Sequence, residues 1–163
     1  MANYEPLASK YRPKSLDEFI GQQHLIGENG PIRKFLETGN VPSMIFWGPP
    51  GTGKTTLAYI ISLNLYYDFY KMQAVNSGKE ELRKILKIAL NNQKYNRKTM
   101  LFLDEIHRWN KVQQDTLLPY VEKGVITLIG ATTENPSFTI ISPLLSRTKV
   151  FVFNQHTKED IAT

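Results

Sequence analysis

Residues 43–65 read SMIFWGPPGTGKTTLAYIISLNL. SMIFW (43–47) is short, apolar and closed by a turn signal, which predicts a buried strand. GPPGTGKTT (48–56) follows directly and matches the phosphate-binding pattern G-x-x-x-x-G-K-[ST]. From Lys54 to Leu65 the spacing predicts a helix, so the match sits between a strand and a helix, the context that gives it meaning. The chemistry follows from the residue types. Gly48, Gly51 and Gly53, with Pro49, Pro50 and Thr52 between them, let backbone N–H groups turn inward around phosphate oxygens. The helix N-terminus at Lys54, Thr55 and Thr56 adds its dipole. Lys54 reaches the β- and γ-phosphates of a nucleotide, and the Thr55 hydroxyl ligates Mg²⁺. ATP and Mg²⁺ are the expected ligands.

Downstream, TMLFLD (99–104) is apolar until its last residue, a strand buried on both faces that ends in two carboxylates. Asp104 is expected to help hold Mg²⁺ through its water shell, and Glu105 to orient and deprotonate the attacking water. VITLIGA (125–131) is a further buried strand. The polar residues after it are placed to touch the γ-phosphate or the lytic water, Thr133 first and Asn135 second. KMQAVN (71–76) reads as a weaker strand and KVFVF (149–153) as a last one. Helices are expected at PIRKFLET (31–38), bracketed by Pro31 and Gly39, and after a Ser77/Glu80 capping box, where Leu82, Ile85, Leu86, Ala89 and Leu90 share one face. Others are expected over 110–122, with a kink at Pro119, and briefly after Ser142-Pro143. Ser15 with Glu18 predicts a short helix through Ile20, and Thr157 with Asp160 the start of another. Strands alternating with helices give an α/β fold with a parallel sheet covered on both faces, and ligands at the carboxyl ends of the strands.

The 163 residues fit one domain with a real core. Hydrophobic residues make up 41% and charged residues 21%, which excludes a disordered chain. With no cysteine, disulfides, thiolate nucleophiles and cysteine zinc sites are excluded, and His24, His107 and His156 are too far apart to read as a metal set. No apolar run is long enough to span a bilayer, and the start lacks a signal-peptide core, so a cytoplasmic protein is expected. The net charge of +5 suits a polyanion partner. Lys79, Arg108 and Lys111 lie near helix starts at the expected active edge, where DNA contact and a solvated face are both open readings. The aromatic cluster Tyr66, Tyr67, Phe69 and Tyr70 reads as packing rather than as a base-stacking platform. Asn76 ends the second strand beside the site, as a nucleotide sensor or a turn residue.

Four stretches carry a resemblance: PLASKYRPKSLDEFIGQQHLIG, SMIFWGPPGTGKTTLA, LFLDEIHRWNKVQQDTLLPYVEKGVITLIGATTENPSF and LLSRTKVF. The chain resembles AAA+ ATPases of the clamp-loader clade, and within them the RarA (MgsA) replication-associated family, with its eukaryotic relative the Werner-helicase-interacting protein. The resemblance implies a three-layer fold around a five-stranded parallel sheet, with Ile20, Gly21 and Gln22 near the adenine. It implies an extended arm over 1–14, an ATPase core over 15–156, and at 157–163 the start of a lid whose remainder, with an oligomerisation domain, lies beyond Thr163. It also implies a role for Arg147, which has no acid at helical spacing: an arginine finger serving the neighbouring subunit of a homo-oligomer. The implied activity is DNA-dependent ATP hydrolysis at gaps, forks or duplex ends, beside DNA, single-strand-binding protein and replisome components. A clamp-loader subunit, a nucleotide-gated binding module with little turnover, and a branch-migration motor of the RuvB type are the other readings. The last carries a long β-hairpin for which residues 123–124 leave no room.

Overall fold

The computed structural model describes residues 15–156. The arm over 1–14 and the lid start over 157–163 lie outside them. Five strands, β1 (Met44–Trp47), β2 (Asp68–Gln73), β3 (Thr99–Asp104), β4 (Thr127–Thr132) and β5 (Lys149–Val152), form one sheet in the order β2-β3-β4-β1-β5. Every pairing is parallel. The α/β, three-layer, five-stranded expectation is met. The connecting helices are α1 (Gln23–Ile26), α2 (Pro31–Thr38), α3 (Lys54–Asn64), α4 (Lys79–Lys94), α5 (Lys111–Glu122), α6 (Pro136–Thr139) and α7 (Ser142–Ser146). Short 3-10 turns cover Leu16–Glu18 and Ile106–Arg108.

Alternation along the strands divides the core in two, because successive side chains leave opposite faces of a sheet. Met44, Phe46, Met100 and Phe102 join Ile32, Leu57, Ile60 and Ile61 under α2 and α3. Ile45, Leu101 and Leu103 join Leu82, Leu86 and Leu117 under α4 and α5. Strands covered on both faces are apolar throughout, which is why TMLFLD could be read to the residue. Among the described residues no helix is long and apolar enough to cross a membrane.

Three local readings shift. β2 starts at Asp68 rather than 71 and ends at Gln73, leaving Val75 and Asn76 exposed. Its start is set by a buried acid: Asp68 accepts hydrogen bonds from Arg97 Nε (2.7 Å) and Asn92 Nδ2 (2.8 Å), partners reached only through the fold. α4 opens at Gly78 with no side-chain cap, so the Ser77/Glu80 box does not form. The box that does form is Asn110 with Gln113, each accepting from the other's backbone at 2.9 Å, at the start of α5. That helix runs through Pro119 to Glu122. Leu90, expected on the buried face of α4, is 43% exposed.

The end of α3 is costly. Tyr66 follows the last helical turn with φ +59°, where the Tyr67 N–H reaches back to the Ser62 carbonyl at 2.9 Å. This position favours glycine, since a side chain there costs about 1–2 kcal/mol. Tyr66 is 86% exposed, so its ring recovers little by packing. Tyr66→Gly should therefore raise the melting temperature by about 2 °C, after allowing for glycine's greater freedom in the unfolded chain. A lower melting temperature would mean that the ring contributes to the fold.

Candidate nucleotide site

The carboxyl ends of β1, β3 and β4 place the expected residues along one edge. Asp104 pairs across with Ala131 and Trp47 with Thr132, so the phosphate loop after β1 and the carboxylates after β3 flank the end of β4. Two strand spacings separate β1 from β3, about 10 Å. That gap suits a lysine or hydroxyl on one side, a carboxylate on the other, and a hydrated cation with phosphate between them.

The loop is built by close packing. Gly48 N–H donates to the Thr132 carbonyl at 3.1 Å, and a Cβ on Gly48 would meet the Phe153 carbonyl oxygen at 2.4 Å. Gly51 and Gly53 take φ of +74° and +92°. A Cβ on Gly53 would also strike the Phe19 ring at 2.6 Å, so the segment before α1 packs directly on the loop. The Thr52 hydroxyl and Lys54 Nζ both donate to the Pro49 carbonyl at 2.8 Å. Burial pushes the Lys54 ammonium below its ordinary pKa, and the Asp104 charge offsets part of this. Thr55 and Thr56 lie half-buried in the first turn of α3.

On the other side, the Glu105 N–H donates to Asp104 Oδ1 at 3.0 Å. Glu105 stands at φ +56°, a strained conformation for a residue with a side chain. Among the described residues its carboxylate makes no hydrogen bond or ion pair, and Asp104 Oδ2 is likewise free. No cluster of three or more His, Cys, Asp or Glu side chains suited to a metal occurs among the described residues. The oxygen donors present, Thr55 and Asp104, fit a cation that takes most of its remaining ligands from water and phosphate, as Mg²⁺ does.

Two features were not read from sequence. Thr132 is buried, and its hydroxyl contacts His107 Nδ1 at 2.8 Å, the Glu134 N–H at 2.9 Å and the Glu134 carbonyl at 3.2 Å. The single hydroxyl proton serves either His107 or the carbonyl, and the imidazole tautomer follows from that choice. This ties the turn after Glu105 to the end of β4. Thr132→Val should destabilise the fold by about 1 kcal/mol, because it removes the part-buried hydrogen bonds to His107 and to the Glu134 backbone, while Thr132→Ser should be far milder. Equal denaturation midpoints for the two variants would show that the hydroxyl network contributes nothing. The second feature is Gln22, at φ +58° and buried. Its amide Nε2 donates to the Asn154 carbonyl (2.7 Å) and its Oε1 accepts from the Asn154 N–H (2.9 Å). His24 adds a contact to the Val152 carbonyl at 2.6 Å. The segment Ile20–Gln22 is thus locked to the end of β5, with Gly21 buried and Ile20 48% exposed.

Thr133 is exposed just beyond β4, whereas the Asn135 side chain accepts from the Ser137 N–H and caps α6. Lys79, Arg108 and Lys111 are all exposed. Tyr67 and Phe69 pack inward as expected, with Phe69 edge-on to Tyr59 and tilted against Phe102, whereas Tyr66 of the same cluster is exposed.

Arg147 is not with the rest. It precedes β5, whose first residue, Lys149, pairs with Met44 at the start of β1. The phosphate loop follows Trp47 at the other end, so Arg147 and Lys54 occupy opposite edges of the sheet. Nor is Arg147 without a partner: its guanidinium pairs with Glu122 at 2.9 Å, at the end of α5, an acid 25 residues away in sequence.

A doubly covered parallel sheet with a phosphate loop after one strand and paired carboxylates after another defines a P-loop ATPase. Residues 44–156 match the family described as "AAA: ATPase family associated with various cellular activities", and the chain belongs to it. It is similar to the replication-associated recombination protein A of Haemophilus influenzae (51% identity over 98% of this chain and 36% of that protein) and of Escherichia coli K12 (49%, 97% and 35%). It is also similar to the ATPase WRNIP1 of Dictyostelium discoideum (46%, 99% and 18%). Among solved structures it is similar to the RuvB Holliday junction branch migration motor of Thermotoga maritima, with a TM-score of 0.73 and 32% identity over 92% of this chain and 51% of that one. The chain spans about a third of the length of the bacterial recombination proteins it matches.

Proposed function

We propose that the chain is the nucleotide-hydrolysing core of a Mg²⁺-dependent, DNA-stimulated ATPase acting at replication forks, gaps or duplex ends in the cytoplasm. The observation that carries it is the alignment of the phosphate loop, Asp104–Glu105 and the end of β4 along one sheet edge. Mg²⁺ would supply positive charge against the negative charge that develops on the phosphates. The chain's own residues do the rest. Lys54 exchanges the Pro49 carbonyl for phosphate oxygens, and its burial makes that exchange favourable, since a desolvated ammonium gains most from an anion. Thr55 and Asp104 are the residues that would hold the cation, Asp104 through its water shell. Glu105, with an uncommitted carboxylate, takes the proton of the attacking water, and Thr133 orients that water or the γ-phosphate. Ile20, Gly21 and Gln22 border the base, held there by Phe19 on Gly53 and by Gln22 on Asn154.

Similarity to the recombination proteins at about half identity favours this reading over a branch-migration motor. So does the passage from α5 to β4 through residues 123–126, with no hairpin. Lys79, Arg108 and Lys111 at the active edge are the proposed DNA contacts, and the assembly is a homo-oligomer in which Arg147 serves the next subunit. The test is ATP turnover per subunit against protein concentration, with and without gapped DNA, alongside Trp47 fluorescence during a Mg·ATP titration. Turnover that climbs with concentration and with DNA supports the proposal. Saturable nucleotide binding with flat, DNA-independent turnover would leave a nucleotide-gated module instead.

A further inference from the structure

Between α4 and α5 lies a groove of about 480 Å³. Its floor is aliphatic: Leu82, Leu86 and Leu90 from α4, and Val112, 73% exposed, from α5. Its rim is cationic: Lys79, Arg83 and Lys87 form a row at i, i+4 spacing beside that floor. Among the described residues, no acidic side chain lines the groove. Among the described residues, none of the three cations has an ion-pair partner. Such a row of like charges weakens a helix by a few tenths of a kcal/mol per pair, and an exposed leucine and valine add nothing to the fold.

We propose that this groove receives an acidic amphipathic helix of a partner protein. The two parallel rows, aliphatic and cationic, run from Lys79 to Leu90, about 17 Å or three helical turns. An occupant with apolar and acidic residues at the same i, i+4 spacing matches both at once, which is the helix-in-groove mode of recognition. Nucleic acid fits less well. A phosphate backbone has nothing to place on an aliphatic floor, and stacking bases need an exposed aromatic face. Of the groove's two aromatic residues, Trp109 is 5% exposed, with its Nε1–H donated to the Ala74 carbonyl at 3.1 Å, and Tyr120 is half-buried against the core. The inference rests on Arg83, Lys87 and the aliphatic floor, and stands apart from the reading of the nucleotide site.

The probe is a fluorescein-labelled helical peptide of about 14 residues, leucine on one face and glutamate on its flanks, titrated with the chain and followed by anisotropy. Saturable binding in the micromolar range, weakened about tenfold or more by Arg83→Glu with Lys87→Glu and by Val112→Glu, is the expected result. These positions are exposed, and melting curves establish that the variants fold. No saturable binding would overturn the inference. So would equal binding by the double variant, or equal binding of a peptide with lysine in place of glutamate. A labelled oligothymidylate that binds where the peptide does not, and is lost in the double variant, would make the groove a nucleic-acid surface instead. Self-association of the chain in sedimentation, abolished by Val112→Glu, would make its occupant a second copy.

Discussion

On the proposed reading, Arg147→Ala is expected to lower ATP turnover per subunit by about three orders of magnitude and to leave nucleotide binding unchanged. The two effects would separate because Arg147 sits at the amino edge of the sheet, across from its own phosphate loop, where the proposed role is toward the site of a neighbour. Its bond to Glu122 does not oppose this role strongly. The pair is exposed, with side chains 54% and 38% accessible, and an exposed ion pair is worth about 0–1 kcal/mol. Glu122→Gln should change turnover only severalfold. Complementation provides the decisive readout. Mixing Arg147→Ala with Glu105→Gln subunits should restore part of the activity, since the first supplies an intact carboxylate and the second an intact guanidinium to the same shared site. No recovery on mixing, in assemblies shown to be mixed, would place Arg147 outside catalysis.

Glu105→Gln is expected to cut turnover by a factor of about 10² to 10⁴ while ATP still binds. The amide is nearly the size of the carboxylate but takes no proton from water. Because Glu105 makes no side-chain hydrogen bond or ion pair among the described residues, the substitution removes nothing that holds the site together. Phosphate release and Trp47 fluorescence, measured on the same preparation, test both halves. Undiminished release would move the general base to another residue. Loss of binding would mean that Glu105 shapes the site through its strained backbone as well as its charge.

Much of the site was legible in the chain because its chemistry is local. Residues 48–56 are contiguous, and the strand before them and the helix after them leave different periodicities. Asp104 and Glu105 could be placed because a doubly covered strand is apolar until it ends. The strand read at 71–76 was misplaced for the opposite reason. What begins β2 is Asp68, an acid buried among Asn92 and Arg97, and an acid in a sequence reads as surface until its partners are known. The Ser77/Glu80 box failed in the same way, because a capping pattern states which bonds are available and the packing of α4 decides which form.

The amino-acid order alone determined that this is a parallel α/β fold and where the phosphate-loop pattern sits in it, between β1 and α3, since both follow from backbone geometry over a few adjacent residues. Only the tertiary structure decided how distant segments meet. It packs Phe19 on Gly53, couples Gln22 to Asn154 and His107 to Thr132, and turns Arg147 away from its own site to pair with Glu122. These contacts join residues from 25 to 132 positions apart. Side-chain periodicity carries no information over such separations, because it records only which face of its own element a residue occupies.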